Sequence, residues 1–270
     1  MRRLARYCLA ITAAALCGLL PSATAIAQDK PKIGIVVMHG KGGSPSTRFI
    51  APFADGLERK GLLVANLEMP WSGRRDYDRD VATAEQEVRA ALDDLRAKGA
   101  KKVFVAGHSQ GGVFAVYYAG KHPVDGAILI APGGSVASNL FREKLGDSMN
   151  RARLMVAGGK GDERAMFNDF EGSKGMLNVH TTAAVYLTWF DPDGAMNQLK
   201  SSQALPTNVP VLFVAPTDDY PGLKRTKHTM FGALPRNPLT RLYEPDADHL
   251  NAPVAAIDEI MRWTAEVTGK

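Results

Sequence analysis

Six short runs of apolar residues recur along the chain, and stretches with helical periodicity lie between them. The runs are at residues 33–38, 62–67, 103–106, 127–130, 211–215 and, less regularly, 240–243. An uninterrupted apolar run is typical of a strand buried on both faces of a parallel sheet, since alternate side chains point to opposite faces. The pattern predicts an α/β protein with a mostly parallel sheet of about six strands flanked by helices.

Two helices are predicted most clearly. Between the second and third runs, apolar residues recur at steps of three and four before Gly99: Val81, Ala84, Val88, Ala91, Leu92 and Leu95. This spacing predicts a helix with one buried stripe that connects two parallel strands. Residues 254–267 follow Asn251 and Pro253 and carry a second such stripe, which predicts a closing helix packed on the sheet.

The alternation of strands and helices stops between Pro132 and Pro206. This stretch holds several glycines and scattered helix-like patches, but no clear strand. A connection of about 75 residues is far longer than the usual link between neighbouring elements, and such lengths are more often functional insertions. We therefore predict a cap insertion at about residues 133–205 that covers the C-terminal edge of the sheet.

The first residues have the three-part layout of a secretory signal peptide. Three arginines within the first six residues precede an apolar stretch at 9–20, and Ala25-Ile26-Ala27 supplies small residues for cleavage after Ala27. The apolar part is too short to span a bilayer comfortably. We expect a mature domain of residues 28–270, without a membrane span, located in the periplasm or secreted by a bacterium.

Removing residues 1–27 changes the charge and the cysteine content. The segment contains three arginines and no acid, so the net charge falls from +5 to +2, and a basic face for nucleic acid is no longer indicated. Cys8 and Cys17 lie in the same segment. The mature chain therefore has neither a disulfide nor a thiol nucleophile, although it is expected to reach an oxidising compartment.

The third apolar run leads directly into Gly107-His108-Ser109-Gln110-Gly111-Gly112 and then into a helix-compatible stretch. A serine at a sharp strand-to-helix turn projects its hydroxyl above the sheet, and the flanking glycines let neighbouring backbone pass closely. In this order of a strand, a G-x-S-x-G motif and a helix, the sequence resembles the α/β-hydrolase superfamily. The resemblance extends over nearly all of the mature chain. The resemblance implies an α/β-hydrolase fold with Ser109 as nucleophile.

The resemblance also implies an oxyanion hole. In this superfamily an oxyanion loop follows an early strand, and here the first run leads into His39-Gly40-Lys41-Gly42-Gly43. The backbone N–H of Lys41, together with that of Gln110, would then bind the negative oxygen of a tetrahedral intermediate. Only five mature residues precede the first strand, so the antiparallel strands that open many members of the superfamily have no room here.

The superfamily's acid and histidine follow later strands, in the chain order Ser, acid, His. Residues 211–215 lead into Pro216-Thr217-Asp218-Asp219, which resembles the superfamily's G-T-x-D segment with proline in the glycine's place. Counting from the strand favours Asp219, and Asp218 remains the alternative because a shift of one residue would exchange them. Of the six histidines, only His249 lies between the presumed last strand and the closing helix.

Together with the predicted signal peptide, this resemblance implies an exported serine hydrolase that cleaves carboxylic esters through an acyl-enzyme intermediate. A small-molecule acyl compound is the expected partner, and the mechanism requires neither a metal nor a cofactor. Peptidase, thioesterase and acyltransferase activities use the same triad, and a catalytically inactive binding protein on this fold is the alternative of another class. No pattern in the sequence indicates an oligomeric state.

Two arginines follow the second apolar run and are expected at the same sheet edge as Ser109. One hypothesis is that Arg74 or Arg75 attracts an anionic group of the substrate. The favoured alternative is a solvated loop in which the arginines pair with Asp76 or Asp78.

Overall fold

The computed structural model describes residues 32–269; the predicted signal peptide, residues 1–27, lies outside the described residues. The strands are β1 (Lys32–Met38), β2 (Leu63–Leu67), β3 (Ala100–His108), β4 (Gly126–Ile130), β5 (Arg164–Glu171), β6 (Gly175–Thr182), β7 (Val211–Val214) and β8 (Arg241–Tyr243). The helices are α1 (Ala51–Arg59), α2 (Val81–Ala97), α3 (Gln110–Lys121), α4 (Asn139–Ala157), α5 (Ala183–Phe190), α6 (Gln198–Gln203), α7 (Pro221–Gly232), α8 (Ala252–Ala255) and α9 (Ile257–Val267). Among the described helices, none has the length and apolar character needed to cross a membrane.

Six strands form one sheet in the order β2-β1-β3-β4-β7-β8, and every neighbouring pair is parallel. Each strand coincides with one of the six predicted apolar runs to within a few residues. The prediction of a mostly parallel sheet of about six strands flanked by helices is confirmed.

The apolar runs are uninterrupted because both faces of the sheet are covered. In β3, Val103 and Val105 belong to one hydrophobic cluster, whereas Phe104 and Ala106 belong to the other. The first cluster includes side chains from α2 and α3, and the second includes side chains from α1 and α9. The sheet is therefore the middle layer of three, as in other parallel α/β proteins.

The two helices predicted most clearly are present, with small differences at their ends. The N-terminus of α2 is capped by Asp80, whose carboxylate accepts a hydrogen bond from Thr83 N–H at 2.8 Å. The closing helix is divided into the short α8 and the longer α9, with Ala256 between them. Trp263 of α9 is buried against the sheet and donates its indole N–H to Leu239 O at 2.7 Å.

The chain between β4 and β7, residues 131–210, contains α4, a β-hairpin of β5 and β6, α5 and α6. The expectation that this insertion lacks a clear strand was therefore wrong. The hairpin buries Phe167, Asp169, Val179 and Thr181 and leaves most of its other positions partly or fully exposed. Because two of these four buried residues are polar, the alternation of apolar and polar residues that reveals a strand is missing from the sequence.

The strand order reverses between β1 and β3. The chain moves from β1 outward to β2, and from β3 in the opposite direction to β4 and β7. Ligands of open α/β sheets bind at the carboxyl ends of the strands at such a reversal. The loop after β1, which contains Lys41, and the turn after β3, which contains Ser109, lie at this position.

Candidate active site

Ser109 occupies a sharp turn between β3 and α3. Its φ of 54° and ψ of −119° are uncommon for a residue with a side chain. The turn is held by the Ser109 N–H, which donates to Ile130 O at 2.8 Å. Strained backbone of this kind is typical of the nucleophile elbow, where it lifts the serine side chain away from the sheet.

Two glycines of the elbow are required by close backbone contacts. A Cβ at position 107 would lie 2.0 Å from Gly111 O, and a Cβ at position 111 would lie 2.4 Å from Met38 O. Neither atom belongs to a side chain that can move aside. Gly107 and Gly111 therefore let the start of α3 pack directly against the ends of β3 and β1.

Asp219 and His249 are joined by a hydrogen bond of 2.7 Å between Asp219 Oδ1 and His249 Nδ1. Asp219 is 7% exposed and His249 is 6% exposed, so water competes little for this contact. Asp218, the alternative acid, is exposed, and its backbone N–H donates to Ala247 O at 3.1 Å. Of the two aspartates, the structure brings Asp219 to the histidine.

The imidazole of His249 lies close to two other rings. The ring of Tyr220 is 4.4 Å away on centroids and that of His108 is 4.8 Å away. His108 Nε2 is 2.8 Å from His249 O, and burial lowers the pKa of His108 to about 3, so a neutral ring donates this hydrogen bond. Since His108 precedes Ser109 in the chain, this contact places the histidine loop beside the elbow.

Nδ1 of His249 is hydrogen-bonded to Asp219, so the second ring nitrogen, Nε2, remains for proton transfer. Within residues 32–269, no hydrogen bond joins His249 Nε2 to Ser109 Oγ. Catalytic hydrogen bonds are often long or poorly aligned before substrate binds. Nε2 is therefore the nitrogen with the capacity to take a proton from the serine.

The loop after β1 lies against the elbow. A Cβ at Gly40 would be 3.2 Å from Ser109 Cβ, so the backbone of this loop runs directly beside the serine. No hydrogen bond among the described residues takes the N–H of Lys41. Gln110 is the first residue of α3, where backbone N–H groups have no partner within the helix. The backbone N–H groups of Lys41 and Gln110, close to Ser109, can thus donate hydrogen bonds to a bound molecule.

The same loop is held by His39, which is fully buried. Its Nδ1 donates to Gly40 O at 2.7 Å, and its Nε2 accepts from Met69 N–H at 3.0 Å. Burial lowers the pKa of His39 to about 4, which keeps the ring neutral with one donor and one acceptor. Trp71 completes the support by donating its indole N–H to His39 O at 2.9 Å.

Both arginines after β2 are paired with acids of the protein. Arg74 forms an ion pair with Glu68. Arg75 forms one with Glu87 at 2.8 Å and another with Asp78 at 3.0 Å. The pair of Arg75 with Asp78 agrees with the favoured alternative. All these pairs occupy the guanidinium groups on which the anion hypothesis depends.

An open cleft of about 520 Å³ runs along the loop after β1. It is lined by residues 42–47, Glu68, Gly73 and Arg74. Gly42, the residue after Lys41, is part of this lining.

The acids of the segment 191–194 make contacts within the protein. Asp191 accepts a hydrogen bond from Asp193 N–H at 3.0 Å, and Gly194 N–H donates to Asp191 O at 2.9 Å. In the part of the chain that the structure describes, no group of three or more His, Cys, Asp or Glu side chains is arranged to hold a metal ion.

Three residues next to the site were not found from the sequence. Tyr220 directly follows the candidate acid, so its position in the chain is the only signal that points to it. Tyr77 and Asp169 carry no such signal, since they come from separate loops and strands and approach Gln110 and Lys41 only in the folded chain.

A family model matches most of the sequence. Residues 35–261 fit the model described as the alpha/beta hydrolase family. The chain belongs to this family. The match begins within β1 and ends within α9, so it includes the other five strands of the sheet, the insertion and the candidate site of this alpha/beta hydrolase.

Solved structures show the same fold at low sequence identity. Est1E from Butyrivibrio proteoclasticus, solved with ferulic acid, is 15% identical, with a TM-score of 0.59 and coverage of 90% of this chain and 93% of that one. The monoacylglycerol lipase of Paleococcus ferrophilus is 18% identical, with a TM-score of 0.60 and coverages of 87% and 94%. A carboxyl esterase from Bacillus coagulans, solved with glycerol, is 15% identical, with a TM-score of 0.58 and coverages of 89% and 90%. A comparison with curated proteins finds no match.

Proposed function

We propose that this alpha/beta hydrolase cleaves carboxylic esters with Ser109 as nucleophile, His249 as general base and Asp219 as the acid that orients the histidine. The observation that carries the proposal is the buried Asp219–His249 hydrogen bond of 2.7 Å next to a serine in a strained elbow. A base oriented by a third group and placed near a nucleophile is the arrangement by which serine becomes reactive.

In the acylation step, His249 Nε2 takes the proton of the Ser109 hydroxyl while Oγ attacks the carbonyl carbon of the ester. The carbonyl oxygen becomes an oxyanion that accepts hydrogen bonds from the N–H groups of Lys41 and Gln110. When the tetrahedral intermediate collapses, the carbon–oxygen bond to the alcohol breaks. The imidazolium then gives its proton to the departing alkoxide, and Asp219 stabilises the imidazolium until this transfer.

In the deacylation step, the same groups act on water. His249 removes a proton from a water molecule, whose oxygen attacks the acyl carbon bound to Ser109. The second tetrahedral intermediate releases the carboxylic acid and returns the proton to Ser109. The chemistry is complete with side chains and backbone of this chain alone.

The choice of an ester as substrate class draws support from the structural neighbours. A carboxyl esterase and a monoacylglycerol lipase share this fold with similar chain lengths. Because one fold supports many reactions, measured ester hydrolysis is the test of the substrate class.

The test is the steady-state hydrolysis of 4-nitrophenyl acetate and butyrate by the purified protein. Ser109→Ala should lower kcat by about a thousandfold or more with an unchanged thermal midpoint, because the hydroxyl that attacks is removed. Ser173→Ala, an exposed serine in the β5–β6 turn, is the matched control and should retain the parent rate. If Ser109→Ala kept half of the parent rate, Ser109 would not be the nucleophile.

We further propose that the protein is exported and that residues 1–27 are removed. The basic start, the apolar stretch and the Ala25-Ile26-Ala27 triplet support this proposal. Expression of the full chain in a bacterium should give periplasmic or secreted protein whose N-terminal residue is Gln28. Recovery in the cytoplasm with residues 1–27 attached would contradict it.

A further inference from the structure

A buried ion pair connects the loop after β1 to the insertion. Lys41 Nζ lies 2.6 Å from Asp169 Oδ1 of β5, and the two side chains are 9% and 2% exposed. Lys41 Nζ also donates to Phe170 O at 3.0 Å, and Phe170 N–H donates to Asp169 Oδ1 at 2.6 Å. Buried ion pairs often add little to stability compared with apolar residues of similar volume. Stability alone therefore does not account for this pair, which indicates a role in function.

The same carboxylate reaches the other candidate oxyanion residue through Tyr77. Gln110 Nε2 donates to the Tyr77 hydroxyl at 3.1 Å, and this hydroxyl lies 3.4 Å from Asp169 Oδ2. Burial and the nearby charge of Asp169 raise the pKa of Tyr77 well above its usual range. The phenol stays protonated, and its one proton has two acceptors within reach, Asp169 Oδ2 at 3.4 Å and Gln110 Oε1 at 3.3 Å. When it donates to the carboxylate, its oxygen accepts from Gln110 Nε2.

Lys41 and Gln110 are the two residues whose backbone N–H groups are assigned to the oxyanion. Their side chains converge on one carboxylate, at Oδ1 and through Tyr77 at Oδ2. Oxyanion donors must lie within a few tenths of an ångström of their working positions, since stabilisation falls steeply with misplacement. A single charged group that fixes both side chains also limits movement of both backbones.

We propose that Asp169 is a positioning residue that aligns both oxyanion donors, so that the insertion contributes to the chemistry of the site. This inference rests on the proposed function. Asp169 binds no reacting atom in this account and acts only through Lys41 and Tyr77. Because the oxyanion forms in the transition state, loss of alignment should lower kcat and leave KM nearly unchanged.

Three variants separate alignment from folding. Tyr77→Phe removes the hydroxyl that links Gln110 to Asp169 and leaves the ion pair in place. Asp169→Asn removes the charge, and Lys41→Met with Asp169→Leu replaces the ion pair by apolar side chains. We expect the double variant to fold, as apolar replacements of buried ion pairs often do. Its kcat should fall about 10- to 100-fold with KM within about threefold, and Tyr77→Phe should lose about three- to tenfold in kcat.

The matched control is Glu85→Gln. Glu85 is also a mostly buried carboxylate, 11% exposed on its side chain, and it pairs with Lys121 at 2.7 Å and His122 at 2.6 Å away from the elbow. This variant should lower the thermal midpoint without changing kcat. A purely structural role of Asp169 predicts the same behaviour for all variants at residues 41, 77 and 169.

A second readout is the affinity for an alkyl boronic acid, which forms a tetrahedral adduct with the serine and occupies the oxyanion position. Its affinity should weaken by the same factor as kcat in the double variant. Parent-level kcat and boronate affinity in both the double variant and Tyr77→Phe would overturn the inference. If the parent protein itself neither hydrolysed esters nor bound the boronate, the proposed function would fail instead.

Discussion

At the scale of single residues, two neighbouring aspartates after β7 have the same chemistry and different surroundings. Asp219 is buried and bonded to His249, whereas Asp218 is exposed and contributes a backbone contact to Ala247. A carboxylate can hold one imidazole tautomer only if it reaches Nδ1 with good geometry. The surroundings, and not the residue type, make Asp219 the candidate acid.

Substitution of the two aspartates tests this assignment. Asp219→Asn should lower kcat by about three to four orders of magnitude, because an amide at this position favours the wrong tautomer of His249. Asp218→Asn is the matched control and should stay within about threefold of the parent. Rates of 4-nitrophenyl butyrate hydrolysis and thermal midpoints of both variants provide the comparison. A larger loss in Asp218→Asn would exchange the two roles.

At the scale of elements, the elbow depends on how closely β1, β3 and α3 approach one another. Ser109 is lifted because the start of α3 crosses the strand ends at backbone contact distance. Any side chain at position 107 or 111 separates these elements and moves the serine. The geometry of the site is therefore a property of the packing of three elements.

Two glycine substitutions measure this packing. Gly111→Ala would place a Cβ 2.4 Å from Met38 O, so we expect a loss of several kcal/mol in the free energy of unfolding, or no soluble protein. Gly146→Ala in α4 meets no atom within 4 Å and should be neutral or stabilising by about 0.5–1 kcal/mol. Urea unfolding of both variants distinguishes these outcomes, and equal stability would contradict the packing account.

The sequence predicts the sheet well because each strand is buried on both faces. Strands such as β4, which is apolar and buried at every position, leave an unbroken run that is visible without a structure. The β5–β6 hairpin is not predicted from the sequence, because Asp169 and Thr181 occupy buried positions beside Phe167 and Val179. Periodicity reports apolar burial only, so a strand with polar buried residues gives no clear signal.

The candidate triad can be predicted from the sequence because each member follows a strand in a fixed order. The ion pair behind it cannot be predicted in this way, since Lys41 and Asp169 are 128 positions apart and Asp169 belongs to no motif. Their pairing depends on a contact between the insertion and the loop after β1 that forms only in the folded chain. Contacts of this kind depend on tertiary structure and leave no local pattern.

At the scale of the whole molecule, burial of two histidines predicts how stability depends on pH. The pKa values of His39 and His108 are lowered by burial to about 4 and about 3, whereas an unfolded histidine titrates near pH 6.5. Below pH 6.5 the unfolded chain therefore binds protons that the folded chain does not. This contribution to stability is complete above about pH 7 and is lost as the pH falls towards 4 and 3.

The free energy of unfolding, measured with urea at pH 7 and pH 5, should fall by on the order of 2 kcal/mol for each buried histidine. Carboxylates titrate mostly below this window, so they contribute little to the change. His39→Gln should remove about half of the pH dependence, although it also lowers stability at both values. Equal free energies at pH 7 and pH 5 for the parent protein would contradict the neutral, buried state of these rings.

The most direct test of the central claim, an activated Ser109, is labelling of the purified protein with a fluorophosphonate probe. The adduct is located by peptide mass spectrometry. We predict modification at Ser109 in the parent and in His228→Ala, an exposed histidine of α7, and loss of labelling in His249→Ala. Folded parent protein that carries no adduct at Ser109 would contradict the account and favour a binding protein on this fold.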